Sequence, residues 1–385
     1  MSSHAGAVIS QAGRAHLHWS LIPEVGPVLF GRLLERFGTA QEALQAPAAA
    51  IGGIAGIGHD RAMRIAQARA TVDLEAELQR AEKRGVRILC REDQDFPPGL
   101  RHIPDPPICL YVRGTLEPQD AVAVGIVGSR RCTMYGREQA RRFGHQLAAR
   151  GLTVVSGLAR GIDGEAHKGA LEAGGRTIAV LGNGLAETYP PEHERLAEAI
   201  VVQGALVSEL PMQTAPSAAN FLPRNRLIAG LSLGVLVIEA AARSGSLTTA
   251  RMAAEYNREV FALPGRVDSD FSRGTNGLIR DQHAKCVTCA DDVVDELGEV
   301  GDALRGGPAQ DPASAGPVGA ALRNSLSADE LCIYEALNVQ GRPLETIVEL
   351  ADRPVHRVSA ALISLQLKGL ARQAPGSVFV RAREL

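Results

Sequence analysis

Between residues 86 and 297 the chain alternates two patterns. Apolar runs, GVRILC, ICLYVRG, AVAVGIVGS, LTVVSG, RTIAVLGNG, ALVSEL, GVLVIEAA and EVFALPG, are separated by segments with helical spacing. Continuous Val, Ile and Leu runs suit strands covered on both faces, so the pattern predicts a doubly wound, mainly parallel α/β sheet. The first two runs are expected to extend it at one edge. Residues 1–85 read instead as short helices, in EVGPVLFGRLLERFG, AQEALQAP and GIGHDRAMRIAQARATVDLEAELQRAEKRG. VGPVLFGRLL and IAGIGHDRAMRIA each place a glycine turn before a helix. That is the shape of a helix-hairpin-helix, whose turn amides can meet a backbone phosphate, and equally of a plain structural cap.

The pattern changes again near the C-terminus. Residues 298–324 have the Gly, Pro and Ala content of a flexible linker. Residues 325–385 read as three helices and an extended tail, the plan of a winged helix, with Arg357, His356 and Lys368 on or near the third helix. So few cations suit a protein contact as well as a DNA groove. A length of 385 residues agrees with more than one domain.

Composition changes this picture in two ways. A net charge of −2 means that a polyanion partner must be met by a local patch and not by a global field. No apolar run approaches the ~20 residues of a membrane span, and MSSHAGAVISQAGRAHLHWS lacks the pattern of a signal peptide. The six cysteines are scattered and form no disulfide framework. A cytoplasmic protein without membrane association is expected.

Ligands of open α/β sheets collect at the carboxyl ends of the strands. Three consecutive ends carry glycine-rich or cationic loops: GSRR at 128–131, SGLARGIDGEAHKGAL at 156–171 and LGNGLAETYP at 181–190. FLPRNRLIAGLS and ARSGSLTTARMAAEYNREVFALPG follow the same rule. Together they are expected to bring Arg130, Arg131, Arg160, Lys168, Arg224, Arg226 and Arg243 to one positive rim. The dinucleotide motif fails at GNGLAE, where Glu187 replaces the third glycine, and no G-K-[ST] follows a strand. His283, Cys286 and Cys289 in HAKCVTC read as structural, and no metal or cofactor is expected. Asp163 is expected to cap a helix and His167 to pack on its face.

GIVGSR, SGLARGIDGEAHKGAL, TIAVLGNGL with YP, SELP, FLPRNRLIAGLS and VIEAAARSGSLTTARMAAEYNREVFALPG, in order over residues 92–285, resemble the motif series of the DNA-processing protein A family (DprA, also called Smf). The flanks resemble that family's sterile-alpha-motif-like and winged-helix domains more loosely. The resemblance implies an extended Rossmann-like sheet and a single-stranded-DNA-binding protein of natural transformation, competence and DNA recombination. Such a protein protects incoming DNA, loads the RecA recombinase, forms a homodimer and has no catalytic activity. It also implies a phosphate contact for Arg130 and a base-stacking or groove-lining ring for Phe221. Ala218 departs from relatives that carry lysine there, a contact that Arg224 or Arg226 could replace.

The expected DNA-binding residues are therefore Gly128, Ser129, Arg130, Arg131, Ser156, Gly157, Arg160, Gly161, Lys168, Gly182, Asn183, Phe221, Arg224, Asn225, Arg226, Arg243, Ser244, Gly245 and Ser246. Arg130 also reads as a strand-end ion pair, Lys168 as a solvated helix face and Phe221 as core; the glycines also read as plain turns. Apolar helix faces around Leu247 to Tyr256 and Leu278 are the candidate dimer surface. The competing function is a nucleotide-phosphate-binding enzyme of the lysine-decarboxylase-like phosphoribohydrolase type. Against it, ARSGSLTTA lacks a second adjacent glycine and has Ala250 near the place of the catalytic glutamate.

Overall fold

The computed structural model describes residues 9–298, 326–338, 341–368, 370–374 and 378–381. These form a large unit, running to Glu117 and from Ala123 to Thr288, and a small unit of Pro118–Val122 and the chain from Cys289 onward. The expected linker lies outside the described residues apart from Gly298.

The large unit begins with six helices: α1 (Gln11–Ser20), α2 (Pro27–Phe37), α3 (Ala40–Gln45), α4 (Ala48–Gly52), α5 (His59–Thr71) and α6 (Leu74–Lys83). Gly26 and Gly58 are the N-caps of α2 and α5, at the two glycine turns read from the sequence. The third helical segment splits at Val72, because Asp73 turns its carboxylate onto the Ala76 amide (3.0 Å) and starts a new helix. No gap in the core follows residue 85. Leu17, Trp19, Leu33, Ile51 and Ile65 bury into the same cluster as Ile88, Tyr111, Leu158 and Leu206 of the sheet region.

The sheet contains β1 (Val86–Cys90), β2 (Cys109–Gly114), β3 (Ala123–Val127), β4 (Thr153–Ser156), β5 (Thr177–Val180), β6 (Gly204–Ser208), β7 (Gly234–Val237), β8 (Glu259–Ala262) and β9 (Lys285–Cys286). Their order is β1-β2-β6-β5-β4-β3-β7-β8-β9, parallel from β6 to β9. The antiparallel β1 and β2 extend it beyond β6, as expected. Each eight-run strand is present; β9, two residues long, is too short to leave a periodic signal.

The crossover helices are α8 (Met134–Ala149), α9 (Ile162–Glu172), α10 (Glu194–Gln203), α11 (Ala218–Leu231) and α12 (Ser246–Glu255), with α7 (Pro98–Arg101) and α13 (Arg273–Arg280) packed beside them. α9 packs on α8 and α10, while α11 packs on α12, and Leu227 and Ile228 join Val127, Val155 and Val180 in a second core cluster. Chain order reverses at β3, which lies between β4 and β7. In such sheets the reversal opens the crevice that ligands use.

The small unit holds α14 (Ala290–Asp295), α15 (Ala328–Ala336), α16 (Leu344–Ala351) and α17 (Val355–Leu367). A three-stranded sheet of β10 (Arg342–Pro343), β11 (Ala371–Ala374) and β12 (Val378–Arg381) completes the winged-helix plan. Its core is Ile333, Ile347, Leu362, Leu365 and Leu370.

Candidate nucleic-acid interface

The crevice at the reversal is closed from within. Glu239, just past β7, accepts the Ser129 amide on its main-chain oxygen (2.8 Å). Its buried side chain then takes the Thr133 amide (2.9 Å) on Oε2 and the Thr133 hydroxyl (2.6 Å) on Oε1. Thr133 caps α8 through the Gly136 amide (3.1 Å), and any Cβ at Gly136 would collide with the Glu239 carboxylate. The helix N-terminus that binds phosphate in a dinucleotide fold therefore already faces a negative charge. One residue clamps both ends of the 129–133 loop and holds Arg130 and Arg131 out to solvent.

The open pocket is displaced to the ends of β3, β4 and β5. It is lined by Arg130, Gly157, Ala159, Arg160, Gly182, Asn183, Tyr189, Pro190 and Phe221. The half-buried Phe221 ring stacks on Tyr189 with centroids 5.7 Å apart, and the Arg130 guanidinium lies over the Phe221 ring, 4.6 Å from its centroid. A Cβ at Gly182 would lie 2.7 Å from the Phe221 ring, so glycine lets that ring seat. Gly161 takes φ +77 as the N-cap of α9, where a side chain would strike the Ser129 carbonyl.

Two predicted contacts are corrected by burial. Arg224 is 4% exposed and donates to the carbonyls of Gly157 (2.9 Å) and Val180. Beside it the buried Asp163 accepts the amides of Gly157 (3.2 Å) and Ala159 (3.4 Å). Burial lowers the Arg224 pKa to about 10 against the opposing pull of Asp163, and burial raises the Asp163 carboxyl against Arg224 and the amides. Asp163 thus holds the loop before α9, and Gly161, not Asp163, is the N-cap. Arg226, also 4% exposed, pairs with Asp105 (3.1 Å) and Glu209. Neither arginine reaches the rim, since both side chains are buried beneath α11 and spent on partners inside the protein; neither is placed to replace a lysine contact at Ala218.

Other expected residues have partners within the protein. Ser156 donates to Ile126 O (2.5 Å), and Asn183 spends its amide on Gly184 O (2.9 Å) and Glu187 O (2.8 Å). Asn225 reaches Gly245 O at 3.5 Å, and the Ser244 and Ser246 hydroxyls meet at 2.7 Å at the start of α12. Gly128 is half-buried. Lys168 pairs with Glu165 (2.7 Å), and Arg160 pairs with Glu192. His167 packs as expected: its Nδ1 meets Thr177 Oγ1 (2.7 Å), and burial, then the neighbouring His193 and Arg224, push its pKa down to about 3. Among the described residues, Arg130, Arg131 and Arg243 are the exposed members of the predicted rim with no ion pair.

Tyr189, Glu192 and Glu239 were missed by sequence reasoning. YP marked the Tyr189 turn, but nothing local links its ring to Phe221. The buried Ala250 on α12 stands near where the phosphoribohydrolase chemistry needs a carboxylate. The closest approach to a metal-binding trio among the described residues is His16, Cys90 and Glu92, with ligand atoms within 4.8 Å. There Glu92 already pairs with His16 (3.1 Å), and burial pushes the Cys90 thiol up to about 12, so the metal-ready thiolate is disfavoured.

Residues 87–298 match the family model described as DNA recombination-mediator protein A. The chain belongs to that family. Its flanks match a DprA-like N-terminal HHH domain over 22–78 and a DprA winged helix domain over 317–377. Protein Smf of Synechocystis is 36% identical over 389 residues, 95% of this chain and 98% of its own. Protein Smf of Escherichia coli is 42% identical over 311 residues, 80% and 81% respectively. DNA processing protein A of Streptococcus pneumoniae shares the fold at TM-score 0.65 and 33% identity, over 74% of this chain and 98% of that one. DNA processing protein A from Helicobacter pylori, whose structure concerns a unique single-stranded DNA binding mode, matches at TM-score 0.50 and 31% identity, over 55% and 95%. Among the described residues no helix is long and apolar enough to cross a membrane.

Proposed function

We propose that this chain is a non-enzymatic single-stranded-DNA-binding recombination mediator whose strand crosses the ends of β3, β4 and β5. The observation that carries the reading is the Tyr189–Phe221–Arg130 stack beside unpaired arginines. Unstacked bases need aromatic faces, and flexible phosphates need cations free to exchange their counterions. A duplex offers the phosphates but keeps its base faces covered. In this reading Arg130, Arg131 and Arg243 meet phosphates, while Gly157, Gly161 and Gly182 leave room for the buried Arg224, the Ser129 carbonyl and the Phe221 ring that shape the pocket.

The same reading has the protein act as a homodimer that passes its strand to RecA in the cytoplasm. Leu247, Met252, Tyr256 and Leu278, half-buried along α12 and α13, are the surface for the second copy. Anisotropy titration of a labelled oligonucleotide, with single-stranded and duplex competitors, tests the central claim: single strands should compete better. Preference for duplex overturns it. Light scattering should report twice the chain mass at micromolar concentration, and a strict monomer rejects the dimer.

A further inference from the structure

One cation lining the pocket is held by an acid of the same chain. Arg160, in the loop between β4 and α9, grips Glu192 through two nitrogens: Nε meets Oε1, and Nη2 donates to Oε2 at 3.0 Å. Both side chains are about half exposed, at 54% and 50%. Glu192 stands two residues beyond Pro190, so the turn that carries the Tyr189 ring also carries this carboxylate. The fork-on-fork geometry is the one a guanidinium offers a phosphate. An exposed pair of this kind is weak enough to exchange.

We propose that Glu192 is a built-in competitor for the DNA backbone: it occupies Arg160 in the free protein, and an incoming phosphate displaces it. This rests on the single-stranded-DNA reading above. Glu192 then sets affinity without touching the strand, and keeps Arg160 extended toward the pocket before DNA arrives. Arg130 and Arg131, with no such acid, engage first; Arg160 engages by exchange.

The test is a double-mutant cycle read by anisotropy with a fluorescent oligothymidylate over a range of salt. Glu192→Gln should bind up to about fivefold tighter, since the exposed pair no longer has to be broken. Its slope of log affinity against log salt should stay close to that of wild type, because Arg160 meets a phosphate in both complexes, whereas Arg160→Ala should flatten it by about 0.7. Glu192→Ala should behave alike. In an Arg160→Ala background the Glu192→Gln gain should vanish, whereas a general loss of negative charge would act with or without Arg160. Unchanged or weaker binding by both Glu192 variants, with thermal unfolding as in wild type, overturns the competitor and makes the pair a tie between loops. A gain that survives in Arg160→Ala overturns it too. Failure of wild type and all variants to bind the oligonucleotide instead removes the DNA reading beneath it.

Discussion

The strand-end rim of the large unit and the third helix of the winged-helix unit both carry arginines, but they leave them in different states. On the rim, Arg130 lies over an aromatic ring, and Arg131 and Arg243 stand exposed without a carboxylate. In the small unit, Arg353 and Arg357 share Asp329 at 3.1 and 3.5 Å, and Lys368 is held by Glu330 at 2.6 Å. Each of these cations must therefore give up an acid before it can meet a phosphate, as Arg160 must, whereas Arg130, Arg131 and Arg243 need not. Counting cations does not separate these regions. The availability of each cation does, and availability depends on which acids the fold brings alongside.

The largest effect expected from this contrast comes from an arginine that is wholly committed. Arg224→Met should lower stability by about 3 kcal/mol in urea unfolding, because it leaves the buried carbonyls of Gly157 and Val180 without their donor and the buried Asp163 without the opposite charge beside it. A loss under ~1 kcal/mol would mean that burial does not fix this arginine in a structural role. Arg130→Ala should do the reverse. It should leave thermal unfolding nearly unchanged, weaken single-strand binding by about 1–3 kcal/mol, and flatten the salt slope by about 0.7. If it instead unfolds the protein, the line between committed and available arginines is lost. Phe221→Ala sharpens the contrast within the rim: binding should weaken by about 1 kcal/mol through lost stacking while the salt slope stays as in wild type. The smallest effect belongs to Arg357→Ala, with affinity within about 0.5 kcal/mol of wild type; a larger loss would show that pairing with Asp329 does not silence it.

The sheet was legible because its strands are continuous apolar runs, a signal that needs no distant partner. Gly182 and Phe221 were legible through their motifs, and the loops of Arg130 and Arg160 through their position at strand ends. The fates of the arginines were not. Arg224 and Arg226 look like Arg130 in the sequence, and what separates them is the seating of α11, which buries one turn of the helix against Asp163, Asp105 and Glu209. Arg160 meets Glu192 across 32 residues, and Thr133 meets Glu239 across 106. Periodicity is local, and such pairings are made only when strands order themselves in space. The break at Val72 was the exception, a local signal present in Asp73 and overlooked because apolar spacing continued past it.

Glu239 has a consequence for what the protein ignores. Mononucleotides abound in any cell, and a sheet of this type ordinarily offers them a helix end for the phosphate. Here that end is already answered by a carboxylate, so a single phosphate is left with surface arginines alone, Arg130 free and Arg160 held by Glu192. A polymer touches several such arginines at once, and contacts joined by one backbone act at high effective concentration. In the proposed reading the ligand is thereby selected by length, several weak contacts on one strand outweighing the single contact of a mononucleotide.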